Sequence, residues 1–399
     1  MAFLLTGLLM VSCERGPAER PVKQTLTGID VLGRDGFALL KGRRVGLIAN
    51  HTGVNREGVP TARLLAEAPG VELVALFSPE HGFRGDLDVG HIADGRDAET
   101  GLRIFSLYGE TRQPTPQMLE GIDTLVFDIQ DIGTRFYTYI STMGLAMRAA
   151  SEQGIRFVVL DRPNPINGID VAGPLLDPGR EAFVAFHSLP VRHGMTVGEL
   201  ARMFDAELGL GLDLQVVPVE GWRRSDGFEE TGLRWVNPSP NMRSPAEALL
   251  YPGIGLLESS NLSVGRGTET PFELVGAPWL DGGRLAAHLR AQGLAGVRFE
   301  PVTFVPSSSK FAGETCRGLR FLVTDRRAFR PVRMGLALAL GLRTLYPGTW
   351  EAAAVDHLLR NKAVLDALLA ARPLDEVEAI CRPGLDAFLA RRSRVLLYN

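Results

Sequence analysis

Four short apolar runs, each ending in a polar turn, constrain this chain more than any other feature of it. "RRVGLIAN", "VELVALFSPEHG", "DTLVFDIQDIG" and "IRFVVLDRPNPING" each pass from aliphatic and β-branched residues into a turn-forming segment, most of them carrying Gly or Pro. Runs that are continuous rather than alternating suit strands covered on both faces, as in a parallel sheet. Amphipathic segments separate them. "PTARLLAEA" has Pro60 suited to a first helical turn, and "TPQMLEG" is a shorter candidate. "TRFYTYISTMGLAMRAASEQG" sets Phe136, Ile140, Met143 and Met147 on one stripe and stops at Gly154. "MTVGELARMFDAELG" opens at Thr196 with Glu199 three residues later, a capping box. Strands and helices alternating at this spacing predict an α/β fold with right-handed crossovers: a Rossmann-like, doubly wound parallel sheet.

The second half reads differently. After "DLQVVPVEGW" come long Gly, Pro and Ser loops over 221–280, then the strand candidate "GLRFLVTD" and helical patterns at "RMGLALALGLRTLYP" and "VDHLLRNKAVLDALLAA". The chain's 399 residues, 45% of them hydrophobic, can bury the cores of more than one domain. We expect a signal and tether over 1–25, the Rossmann-like domain over 26–208, and a smaller C-terminal α/β or α+β domain over 209–399.

The start, "MAFLLTGLLMVSC", is too short an apolar run for a membrane-spanning helix and ends in a small residue before Cys13. That pattern predicts export, cleavage before Cys13 and acyl chains on its sulfur. The expected product is a periplasmic or membrane-anchored lipoprotein on the polar tether "ERGPAERPVKQT", with an ordinary secretory signal or a misassigned start as the alternative. Cys316 and Cys381 are the other thiols and could pair in an oxidising compartment. A net charge of −3 with no basic stripe argues against nucleic acid as a partner.

Ligands of open parallel sheets bind beyond the carboxyl ends of the strands. The four runs end in Asn50 and His51, in Glu80 and His81, in Asp128 and Asp131, and in Asp161 and Asn164. Carboxylates, amides and imidazoles therefore converge on one edge. The turn after the first run, "NHTGVNREG", lacks the spacing of a dinucleotide fingerprint, and there is no Walker A motif, so no nucleotide cofactor is expected. The serine-hydrolase elbow GxSxG is absent as well. His51, His81 and Asp128 could offer N and O ligands to a divalent metal, but no paired spacing supports one, and no metal is assigned.

Carboxylate chemistry remains. Glycoside cleavage needs a protonated acid beside the leaving oxygen and a second group as nucleophile or base. Glu80, between a strand end and Gly82, is the candidate acid, because partial burial favours its protonated form. Pairing with Arg84 is the structural alternative. Asp128, Asp131 and Glu269 of "GRGTETPF" are candidates for the second carboxylate. Arg135 and Tyr139, four apart, are expected on one helix face near the crevice. There Arg135 could clamp a carboxylate or pair with Asp131, and Tyr137 and Tyr139 could stack on a ring or pack in the core. His193, Asn237 and Asn241 lie in turns where they either touch ligand or satisfy backbone.

Taken in order, "NHTGV", "FSPEHGFRG", "DIQDIGTRFYTY", "LDRPNPING", "HGMTVGELA" and "PSPNM" resemble the NamZ-like exo-β-N-acetylmuramidase family of peptidoglycan hydrolases, from about residue 26 to the C-terminal "FLARRSRVLLY". The resemblance implies a Rossmann-like domain without nucleotide, a smaller second domain, and a cleft between them for the non-reducing end of a cell-wall glycan. It also implies release of terminal N-acetylmuramic acid from its β-1,4 bond to N-acetylglucosamine. The family's motif glutamate falls on Glu80; the motifs also match at His51, Asp128, Asp131, Arg135, Tyr139, Asn164 and Glu269, which are expected in the cleft, as are Asn50, His81, Arg84, His193 and Asn237. Arg135 or Arg266 would meet the lactyl carboxylate of muramic acid. A metal-dependent hydrolase and a non-catalytic glycan-binding lipoprotein are the alternatives.

Overall fold

The computed structural model describes residues 24–399; the signal, most of the tether and Cys13 lie outside them. The apolar runs are strands: β1 (Arg44–Ala49), β2 (Glu72–Ser78), β3 (Gly95–Arg96), β4 (Arg103–Ser106), β5 (Thr124–Asp128), β6 (Arg156–Leu160) and β7 (Leu214–Val217). They form one seven-stranded sheet in the order β3-β4-β2-β1-β5-β6-β7, parallel except for the antiparallel pair β3–β4. Every residue of β5 is buried, because both faces are covered. Leu125 and Phe127 point into one apolar cluster and Val126 into the other.

Helices α1 (Gly28–Arg34), α2 (Thr61–Glu67), α3 (Tyr139–Gln153) and α4 (Val197–Leu208) cover the sheet. The capping box at Thr196 forms, with the Thr196 side chain accepting from the Glu199 N–H and the Glu199 carboxylate accepting from the Thr196 N–H. Helix α3 ends at Gly154, whose φ of 64° suits glycine. It begins at Tyr139, later than the periodicity suggests, so residues 134–138 form the turn that leads into it. Strand β7 pairs with β6, which carries the first domain's sheet past the boundary expected at residue 208.

The second lobe holds a three-stranded antiparallel sheet of β8 (Leu274–Ala277), β9 (Val297–Phe304) and β10 (Cys316–Val323), in the order β8-β10-β9. Around it lie α5 (Pro245–Ile254), α6 (Gly282–Ala291), α7 (Pro331–Leu345), α8 (Asp356–Leu359), α9 (Lys362–Leu369) and α10 (Leu374–Arg392). Helices α5 and α7 approach at Gly253 and Gly335, where a Cβ on Gly335 would fall 2.5 Å from the Gly253 Cα. "VDHLLRNKAVLDALLAA" is two helices rather than one. Arg360 turns left-handed with φ of 48°, and Asn361 then caps α9 by accepting from the Val364 N–H. Cys316 on β10 and Cys381 on α10 are buried and unpaired, which corrects the suggested disulfide.

The lobes share a core. One apolar cluster runs from Phe77 and Phe127 through Met143 to Leu250, Ile254 and Leu338. The C-terminal tail returns to the first lobe, where the Tyr398 hydroxyl donates to the Asp161 carboxylate and the Leu397 N–H to Glu199. Among the described residues no helix is long and apolar enough to cross a membrane.

Candidate active site

Beyond Ser78 at the end of β2, a turn closed by the Gly82 N–H on the Pro79 carbonyl presents Glu80, and His81 follows with φ of 69°. The His81 Nδ1 lies 2.7 Å from the Leu87 carbonyl oxygen and 4.0 Å from Asp88, which ties the ring to its own loop. Glu80 is half-buried. Thr138, the residue before α3, donates its hydroxyl to Glu80 Oε2. Tyr108, just past β4, also hydrogen-bonds Glu80, and burial together with that carboxylate pushes its phenol up to about 12. The guanidinium of Arg112 lies 4.6 Å from the Tyr108 ring centroid.

Glu80 opens on a hollow of about 240 Å³ where the sheet edge meets the second lobe. Its wall is aromatic: Tyr137 meets Tyr139 edge-on at 5.0 Å and Tyr251 at 5.9 Å, and Tyr251 meets Phe272 at 4.7 Å. Across from these, Glu258 Oε1 holds Arg266 Nε at 2.6 Å, with Asp88 3.5 Å from the same guanidinium. Burial acts to lower the Arg266 pKa, but Glu258, Tyr251 and Asp88 outweigh it and the net shift is upward. Ser239, Ser259 and His357 complete the polar lining. Apolar rings beside carboxylates, hydroxyls and one guanidinium suit a sugar, which has apolar C–H faces and a polar rim.

Of the residues named from sequence, Glu80, His81, Tyr137, Tyr139 and Arg266 line this hollow. Several others do not. Asp128 is fully buried and saturated: Arg162 grips both carboxylate oxygens at 2.6 and 2.9 Å, and Thr61 donates to one of them. Glu269 projects into solvent, 4.0 Å from Arg243. Arg135 precedes the helix that was expected to carry it. It is fully buried and donates to the carbonyls of Pro174, Leu189, Leu358 and Leu359, so neither clamp nor Asp131 pair forms. Burial lowers its pKa to about 9.

Asn164 bridges the Met195 carbonyl and the Ile166 N–H. Asp131 accepts from the Gly133 N–H at 2.7 Å and stands 3.5 Å from the buried His193, whose Nδ1 accepts from the Met195 N–H. Asn50 accepts from the Thr52 N–H and hydroxyl. The Asn237 carbonyl lies 2.6 Å from His51 Nε2, and burial pushes the His51 pKa below the ordinary imidazole value. Arg84 is exposed and lies outside the hollow's lining, so Glu80 is held by Thr138 and Tyr108 rather than by Arg84. With Asp128 saturated, His51, His81 and Asp128 assemble no metal site, and among the described residues no group of three or more His, Cys, Asp or Glu does so.

Glu258, Asp88 and Tyr108 were missed. Tyr108 follows a strand, "RIFS", too short to stand out by apolarity, yet the strand-end rule applies to it. Glu258 and Arg266 share the stretch "ESSNLSVGR", whose glycine content fits no nucleotide motif and which carries no other local signal.

A doubly wound sheet without a nucleotide-binding motif, closed by a second lobe over a carboxylate set in aromatic rings, defines a two-lobed α/β enzyme of the carbohydrate-cleaving kind. Comparison with known proteins makes this particular. The chain matches the N-terminal domain of exo-β-N-acetylmuramidase NamZ over residues 45–246 and its C-terminal domain over 249–398. It is 42% identical over 408 aligned positions to the peptidoglycan β-N-acetylmuramidase NamZ of Bacillus subtilis (strain 168), covering 99% of this chain and 98% of that one. It also resembles two crystal structures of DUF1343 family proteins from Bacteroides fragilis NCTC 9343. One has a TM-score of 0.88 at 37% identity, covering 95% of this chain and all of the other. The second has a TM-score of 0.77 at 28% identity, covering 94% and 99%. The chain belongs to the NamZ exo-β-N-acetylmuramidase family.

Proposed function

We propose that this protein is an exo-acting glycosidase that removes terminal N-acetylmuramic acid from the non-reducing end of peptidoglycan fragments, in cell-wall turnover or salvage, with Glu80 as general acid. The observation that carries the reading is the position of Glu80: the carboxylate at the tip of β2 faces an aromatic-walled hollow and is oriented by two hydroxyls. Glu80 gives its proton to the glycosidic oxygen as the bond to the anomeric carbon breaks. Glu258 in the same hollow offsets the positive charge that spreads over the ring, and water then adds to the anomeric carbon while its proton passes to a carboxylate of the hollow, Glu80 or Glu258. Arg266 is the guanidinium within reach of the lactyl carboxylate, which would displace Asp88, the longer of its two partners.

Incubating the protein with MurNAc-GlcNAc and detecting free MurNAc by mass spectrometry tests the reading. Binding without release would favour a non-catalytic glycan-binding protein. Preserved turnover in Glu80→Gln would remove Glu80 from the mechanism. Export and a lipid on Cys13 fit a substrate outside the cytoplasm. Cys13→Ala should shift the protein from the membrane fraction to the soluble one, and an unchanged distribution would reject the anchor.

A further inference from the structure

A second hollow, of about 250 Å³, lies at the point where strand order reverses: β1 has β2 on one side and β5 on the other, and the loops that follow β1 and β5 part there. The mechanism above leaves it unused. Its floor is Thr52, Gln130 and Arg162, and its outer wall is Arg56, Arg234 and Trp235. Trp235 packs edge-on against Phe228 at 4.8 Å, which fixes the indole. Arg162 is neutralised by Asp128 behind it. Arg56 is held at its Nη1 by the Thr25 carbonyl, and Arg234 is exposed. Against these guanidiniums the lining sets one carboxylate, Glu57.

The charge balance is opposite to that of the Glu80 hollow, where Glu80, Asp88 and Glu258 face the single guanidinium of Arg266. One loop walls both. Trp235 lines the second hollow and Ser239 the first, and between them the Asn237 carbonyl is pegged by His51 and the Pro238 carbonyl by Tyr139. Four residues span at most about 14 Å, within the reach of a short oligosaccharide.

We propose that the second hollow is the leaving-group subsite. The indole of Trp235 takes the amino-sugar ring on the far side of the scissile bond, and Arg234 meets the acidic sugar beyond it. The inference rests on the glycosidase reading and deepens it. An acid-poor, guanidinium-lined pocket holds the anionic remainder of the glycan, while the carboxylate-rich pocket works on its terminal unit. Product carrying a new non-reducing end then leaves from a pocket other than the one that held the terminal sugar.

The test compares kcat/KM on three substrates: a chromogenic N-acetylmuramide, MurNAc-GlcNAc, and the tetrasaccharide (MurNAc-GlcNAc)₂. Trp235→Ala should lower the ratio of disaccharide to chromogenic kcat/KM by roughly tenfold, the worth of one aromatic stacking contact. Trp235→Phe, which keeps the packing on Phe228, should restore most of that ratio. Arg234→Ala, at an exposed position, should lower the ratio of tetrasaccharide to disaccharide several-fold at low salt, and less at high salt. Losses equal on all three substrates, or no change in either ratio, would overturn the proposal. If wild-type protein turned over none of them, the glycosidase reading would fall first and this inference with it.

Discussion

Two parts of the same sheet edge put similar residues to opposite uses. The tips of β1, β5 and β6 carry Asn50, Asp128 and Asp161, and each of these side chains is buried and accepts hydrogen bonds from the protein itself. Asn50 caps its own turn, Asp128 pairs with Arg162, and Asp161 accepts from Arg162 and Gly198 N–H groups, Thr196 and Tyr398. The tip of β2, one strand from β1, carries Glu80, which lines a hollow roofed by the second lobe. The tips of β1, β5 and β6 are crossed by neighbouring segments whose donors need acceptors, so a carboxylate there is drawn into scaffolding. A tip facing the other lobe has fewer such claims and is left for chemistry.

The comparison can be broken by substitution. The largest expected effect is at Glu80: Glu80→Gln should cut turnover by roughly 10² to 10⁴ while the melting temperature barely moves. Equal losses of rate and stability would erase the distinction between the two regions. Asp128→Ala should do the reverse, costing about 3 to 5 kcal/mol in denaturant unfolding because Arg162 is left charged and buried. Its folded fraction should retain activity, and a stable but inactive Asp128→Ala protein would return Asp128 to the mechanism.

The two arginines sharpen the contrast. Arg266→Ala should reduce turnover of muramic acid glycosides about tenfold more than that of glucosamine glycosides, the worth of about one charged hydrogen bond. Arg135→Ala should affect both glycosides alike and lower stability by at least 1 to 3 kcal/mol, since buried carbonyls lose their donor. A substrate preference altered by Arg135 would contradict its placement. The smallest effect concerns pH. Burial raises the Asp161 pKa from 3.8 to about 6, so its contribution to stability is present below 3.8 and is lost as the pH rises through about 6. Asp161→Asn should flatten the stability profile between those values by at most about 1.4 kcal/mol per pH unit. An unchanged slope would show that Asp161 does not titrate there.

Much of the fold was legible because burial on both faces writes itself into consecutive residues. "DTLVFD" could be read as a covered strand without knowledge of its neighbours. The capping box at Thr196 was legible for the same reason, being satisfied within four residues. Glu80 was legible as a strand-end acid. Asp128 looked equivalent by the same rule, and what separates them is Arg162, 34 positions away, which no local pattern links to it. Glu258 and Glu269 lie 11 positions apart in one loop-rich stretch, yet one is drawn under Arg266 and the other stands in solvent.

The sequence by itself determined which segments are strands, where they end, and that polar groups gather at those ends, because these depend on backbone geometry and burial over a few residues. Tertiary structure alone decided which of those groups remain available. A carboxylate's fate is set by the donors that reach it from distant segments: Arg162, Thr61 and Tyr398 claim Asp128 and Asp161, while the second lobe closes over Glu80 with rings and leaves a space for a sugar.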